Sequence, residues 1–181
     1  MKESAKNNTL SLVSAALFTA LIVVCSQIAI PMPTQVSLTL QTFGVALCGY
    51  VLGVKWGLAS IITYVLLGTV GVPVFSGFRG GVQVLFGASG GFIFGFIFFV
   101  LLCGISLLVK NKGLKLLFGL GGHLICHIIG IIQFAIVYKT DIISSFLMVS
   151  APYLIKDIIS VALAFFLSLY IRKLLSKIHY S

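Results

Sequence analysis

The chain is predicted to be an all-α integral membrane protein of six transmembrane helices with both termini cytoplasmic. Three observations carry this. The 181 residues are 60% hydrophobic and only 8% charged, against roughly 25% charged in ordinary soluble domains. The apolar residues come in continuous runs near the ~20 residues that a spanning helix needs, without the alternation of membrane-barrel strands. The charges fall between those runs and at the two ends. The net charge of +9 therefore reads as a topology signal, not as the concentrated basic patch of a nucleic-acid binder. The length suits a single membrane domain over residues 1–181.

Lys2 and Lys6 precede a 21-residue uncharged run, Leu10 to Ile30. It is longer than the ~7–15-residue core of a cleavable signal, and is read as a retained first helix at about 10–30. Pro31 and Pro33 stop it. Val36, Leu38 and Leu40 then alternate with Ser37 and Thr39, a short strand-like pattern. The second helix covers about 40–54 and ends at Lys55; the third covers about 56–71 and ends at Gly71-Val72-Pro73. In the glycine-rich stretch that follows, the apolar piece 82–86 is too short to span. Irregular backbone is expected there, which membranes tolerate only inside protein or along a cavity. The remaining helices are placed at about 91–109, 116–138 and 152–175.

This arrangement collects Lys2, Lys6, Lys55, Lys110, Lys112, Lys115, Arg172, Lys173 and Lys177 on one side, and leaves Arg79, Lys139 and Lys156 on the other. The basic-rich side is the cytoplasmic one. Arg79 thus stands among glycines on the outer side, where topology gives it no role. A guanidinium keeps its charge in a protein, and hydrocarbon is a costly place for it. It faces water at the membrane surface or an anion in a cavity.

Lys156 and Asp157 fall near the outer start of the last helix. They either reach to water as interfacial side chains or form a polar floor for a ligand with donors and acceptors. With Arg79 they would make a pocket for a small, partly apolar molecule bearing a carboxylate, which arginine grips with a two-pronged fork. Gly77, Gly80 and Gly81 would let backbone approach the ligand closely. Lys139 and Asp141 read as a solvated loop.

Ala16 and Ala20, beside Ala15 and Thr19, form a strip of small residues on the first helix, suited to packing within the fold or against another protein's helix. Gly87, Gly91 and Gly95 form a second strip, read as internal. His123 and His127 share a helix face, but no acidic residue lies near them in sequence, so isolated polar packing is preferred to a metal site. Cys25, Cys48, Cys103 and Cys126 sit in apolar runs without CxxC spacing and read as buried small hydrophobes. The only acidic side chains are Glu3, Asp141 and Asp157, and no HExxH motif occurs. Without GxxxxGK[ST], the chain has no P-loop for ATP hydrolysis.

Two blocks, PMPTQVSLTLQTFGVALCGYVLG and YVLLGTVGVPVFSGFRGGVQVLFGASGGFIFGF, resemble the BioY family, the biotin-binding S components of energy-coupling factor transporters. The similarity covers roughly residues 10–175. It implies a six-helix protein of the bacterial plasma membrane that captures biotin from outside. A membrane coupling protein and two ATPases would drive delivery, with no cofactor and no metal, by toppling or rocking of the S component. By this resemblance Ala16 and Ala20 meet the coupling protein, Arg79 holds the biotin carboxylate, and Asp157 with Lys156 holds the ureido ring. Gly80, Gly81, Gln41 and Tyr64 complete the expected biotin-binding set, and the loops after helices one and three are expected to close over the ligand.

The chain departs from the family pattern in two places. Ala88-Ser89-Gly90-Gly91-Phe92 stands where the family commonly has PTGGY. The family's lysine three residues after the acid is Ser160 here, and Lys156 instead precedes Asp157. Adjacent helical residues point about 100° apart. His123 and His127 match no motif of the family. The alternatives to a biotin carrier are an S component for another vitamin and an intramembrane enzyme using His123 and His127.

Overall fold

A computed structural model describes the backbone of residues 2–179 and the side chains of residues 8–175. In chain order the elements are α1 (Lys2–Gln27), β1 (Ala29–Ile30), β2 (Leu38–Thr39), α2 (Gln41–Thr69), α3 (Val82–Leu85), α4 (Gly90–Ile105), α5 (Lys112–Tyr138), α6 (Ile142–Val149) and α7 (Ala151–His179). A 3-10 turn, Ser106–Leu108, follows α4. Among the described residues five helices are long and apolar enough to cross a membrane, not six. The predicted second and third helices form one element, α2, broken at Gly53.

The break is sharp. Gly53 has φ 74° and ψ −169°, a region that essentially only glycine occupies. The two arms fold back on one another: Gln41 Nε2 donates to Tyr64 Oη at 2.8 Å, and the Cys48 thiol lies 3.9 Å from Gly57 O. In an unbroken helix Gln41 and Tyr64 would stand about 35 Å apart. Gly53→Ala is accordingly expected to cost about 1–3 kcal/mol. A lowered thermal unfolding midpoint in detergent would report it, and an unchanged midpoint would mean that the turn relaxes.

The hairpin at Gly53 marks one end of the bundle. Arg172 Nη1 donates to Val51 O at 2.9 Å, and Tyr50 Oη donates to Lys115 O at 3.3 Å. These bonds bring the late part of α7 and the start of α5 to the same end. Asn111 begins α5 four residues or so before the predicted position, because its side chain accepts from Gly113 N and Leu114 N at 2.8 and 3.2 Å. Between the ends, α4 packs tightly on α5. A Cβ on Gly95 would lie 2.7 Å from Cys126 Cα, and one on Gly91 2.6 Å from Ile129 O. Small residues at such crossings let membrane helices approach closely. The core around this seam holds Phe99, Val100, Cys103, Tyr50 and Phe165, and all four cysteines are buried and free.

The opposite end carries the irregular segments. α1 stops at Gln27, short of the predicted Ile30, because Ala29–Ile30 pairs antiparallel with Leu38–Thr39. The expected irregular stretch after α2 contains the four-residue α3 between turns. The segment read as a loop before the last helix contains α6. Asp141 caps it by accepting from Ser144 N at 2.9 Å, and this bonding holds the Asp141 carboxyl below its usual pKa. Lys2, Lys6 and Lys177, counted as topology charges, lie outside the described side chains.

Candidate functional site

Between the α1–α2 loop, the glycine-rich segment and helices α4, α5 and α7 lies a slot. Its cavity volume, the space that can centre a water molecule, is about 70 Å³. A ligand must be thin or must part the walls. Apolar walls come from Phe75, Phe92, Ile93, Phe96 and Val149. Polar groups come from Gln41, Tyr64, Arg79, Ser89, His123, His127, Lys156 and Asp157.

Arg79 is half-buried and is presented by a tight turn. Phe75 N donates to Arg79 O at 2.9 Å and Arg79 N to Phe75 O at 3.2 Å. Gly77 and Phe78 between them take positive φ values, 73° and 54°. The turn is tied to the end of α1, where Ser26 Oγ donates to Val74 O at 2.7 Å and Phe78 N to Gln27 Oε1 at 2.9 Å. The guanidinium donates to Ser76 O at 2.9 Å and Gln35 O at 3.4 Å. No carboxylate pairs with it among the described residues. Two of its five donors are thus engaged, both with uncharged carbonyls.

Asp157 is 3% exposed. Its Oδ1 pairs with Lys156 Nζ, and its Oδ2 lies 3.4 Å from His127 Nε2. Lys156 also donates to Thr39 O at 2.6 Å, so although adjacent on the helix, both side chains meet in the slot. Tyr153 Oη donates to Val36 O at 2.5 Å. The α1–α2 loop is therefore a strap held by Arg79 at Gln35 and by α7 at Val36 and Thr39. Gln41 and Tyr64 are buried, bonded to each other and lining the same slot.

Gly80 and Gly81 are placed differently from the expectation and do not line the slot. A Cβ on Gly80 would sit 2.5 Å from Val72 O. Gly81 takes φ 96° and donates to Gly68 O at 2.7 Å. Their freedom serves the packing of the loop itself.

The histidines were expected as isolated polar packing, but they join the site. Their rings are 4.3 Å apart by centroid, and Asp157 arrives beside them from α7, 30 residues along from His127. Ser150, Tyr153 and Thr39 also escaped the sequence reading. Nothing in sequence brings Ser150 to His127 Nδ1, at 2.6 Å, because the meeting depends on how α5 packs against the α6–α7 junction.

Ala16 and Ala20 lie elsewhere, on the exposed face of α1. With Leu12, Val23, Ala59, Thr63 and Leu67 they line an apolar groove of about 580 Å³ between α1 and the second arm of α2.

These features define a multi-pass membrane protein with a mixed-polarity ligand slot at one end of its helical bundle. A model of the BioY family matches residues 1–177, and the chain belongs to that family. The biotin transporter BioY of Thermotoga maritima is 40% identical over 164 residues, 90% of this chain and 96% of the relative. The probable biotin transporter BioY of Pyrococcus horikoshii is 37% identical, over 82% of this chain and 88% of its own. Among solved structures, the S-component for biotin from an ECF-type ABC transporter matches with a TM-score of 0.85 at 25% identity, covering 93% of each chain. The named relatives are transporters, not enzymes.

Proposed function

We propose that this chain is the substrate-capturing membrane component of a biotin uptake transporter. The observation that carries the reading is the slot, which holds Arg79 with no acidic partner among the described residues and a buried Asp157 paired with Lys156. Biotin offers a carboxylate on an aliphatic tail and a ureido ring with two N–H donors and one oxygen acceptor. Arg79 neutralises the carboxylate, Asp157 accepts from the ring N–H groups, and Lys156 donates to the ring oxygen. Gln41 and Tyr64 add a polar pair to the wall, while Phe75 and Phe92 face the apolar parts. Gly80 and Gly81 act through the shape of the loop that carries Arg79. The strap between α1 and α2 and the loop after α2 close over the ligand.

Counting both arms of α2 as passes gives six crossings with the two termini on one side. The folded-back arms support this count. Lys55, Lys110, Lys112, Lys115, Arg172 and Lys173 gather at the Gly53 end, which supports a cytoplasmic assignment of that end and an outward-facing slot. The groove at Ala16 and Ala20 receives a membrane coupling protein, and two ATPases supply the energy.

Titration of the purified protein with biotin and dethiobiotin, with competition by a panel of other vitamins, tests the assignment. Saturable binding displaced by dethiobiotin alone is expected; displacement by a different vitamin would reassign the substrate. Filling the groove with an Ala16→Leu/Ala20→Leu double substitution should leave biotin binding within about twofold, since surface changes away from the site are usually small. It should sharply reduce co-purification with the coupling protein and cellular uptake. Normal uptake would place the coupling surface elsewhere.

A further inference from the structure

We propose that His123, His127 and Asp157 form a three-ligand site for a divalent transition-metal ion of the zinc class, at the polar floor of the slot. One ligand atom from each lies within 4.8 Å of the other two. The His127 Nε2–Asp157 Oδ2 separation, 3.4 Å, is close to the ~3.3 Å between two donors each about 2.0–2.1 Å from a tetrahedral zinc ion. At that length any direct hydrogen bond between the two is weak.

Two further observations point to the same ion. His123 is 4% exposed, and its Nε2 is buried without a hydrogen-bond partner, a costly state for a polar atom. Metal-bound histidines generally have their second nitrogen held by a neighbour. His127 meets this condition, because Nδ1 lies 2.6 Å from Ser150 Oγ and can donate to it while Nε2 binds the ion. The i, i+4 spacing of the histidines on α5 puts both rings on one face. Phe99 and Phe92 flank them. The fourth position opens into the slot, which all three ligands line.

Lys156 opposes the ion. Its ammonium occupies Asp157 Oδ1 and leaves Oδ2 as the donor. Metal binding therefore draws Asp157 away from any ligand in the slot, so the ion and biotin compete. The metal site itself does not rest on the biotin reading, since its geometry involves protein groups alone.

The test uses the full chain in nanodiscs, prepared without a histidine tag and stripped with chelator, titrated with Co²⁺ in the absence of biotin. One saturating ion per chain with the intense visible bands of four-coordinate cobalt is expected. His123→Ala and His127→Ala should each weaken binding at least about tenfold, and Ser150→Ala about tenfold through loss of ring orientation. Lys156→Met should tighten it by removing a repelling charge. Added biotin should raise the apparent Kd for Co²⁺. Absence of saturable binding to the wild-type chain below millimolar Co²⁺ would overturn the site, and so would octahedral bands or indifference to the histidine substitutions. A null metal titration leaves the biotin titration standing, and the reverse holds equally.

Discussion

Asp157→Asn is expected to lower biotin affinity by about one to two orders of magnitude, and dethiobiotin affinity by the same factor. The carboxylate is 3% exposed and receives Lys156 at one oxygen, with His127 facing the other. A ureido ring bound there offers N–H donors to a charged acceptor, and hydrogen bonds to charged groups contribute about 1.5–3 kcal/mol each. Asparagine keeps the volume but turns one acceptor into a donor, which opposes a ring N–H. It also strips Lys156 of its counter-ion and leaves Thr39 O as its remaining partner. Breaking a fully buried ion pair costs about 3–5 kcal/mol. The Lys156 side chain is 27% exposed, so water lessens that cost, and the variant should fold with a lowered melting midpoint. Equilibrium binding of radiolabelled ligand, with thermal melts alongside, separates the two effects. A lowered midpoint with unchanged affinity would make Asp157 a structural residue and leave the ureido ring to other groups.

The bundle was legible where hydrophobicity alone decides. Runs such as Phe92–Leu102 and Leu124–Val137 can be buried only in lipid or in one another, and they fall in α4 and α5. The α2 hairpin was harder, because the turn consumes one residue. Lys55 marked the neighbourhood, but nothing short of the backbone angles identifies Gly53 as the residue that bears it. Helix α6 was lost for a different reason. Eight residues cannot cross a bilayer that needs ~20, so hydropathy treats them as loop. Its capping residue Asp141, three before Ser144, was the available local signal.

The site was legible in its charges and opaque in its neighbours. A charge in a greasy segment has few places to go, which is why Arg79, Lys156 and Asp157 stood out and why all three line one slot. Neutral polar groups announce nothing of the kind. His123 and His127 fit a helix face whether they pack inertly or face a cavity, and only the approach of α7 on α5 supplies Asp157. Glycine carries two messages at once: the missing side chain of Gly80 lets the backbone of Gly71 and Val72 approach, and that of Gly81, at positive φ, leaves room for Gln83.

Arg79→Ala is expected to weaken biotin by about tenfold to a hundredfold, the range of a charge-assisted hydrogen bond worth about 1.5–3 kcal/mol. Biotin amide should lose at most a few-fold, because it carries no charge to pair. The substitution is clean. The turn that presents residue 79 rests on backbone bonds to Phe75 and on the anchors at Ser26 and Gln27, none of which uses the guanidinium. What alanine removes is the bond to Ser76 O, the long 3.4 Å reach to Gln35 O, and a positive charge with no acidic partner among the described residues. Loosening the strap at Gln35 would weaken both ligands alike, whereas loss of the charge discriminates between them. Arg79→Lys sharpens the distinction, since lysine restores the charge but not the planar fork; it should recover part of the biotin affinity and none of the Gln35 contact. Equal losses for biotin and its amide would move the carboxylate away from Arg79 and make the arginine a latch for the strap. A selective loss, partly restored by lysine, requires the carboxylate to lie against the guanidinium.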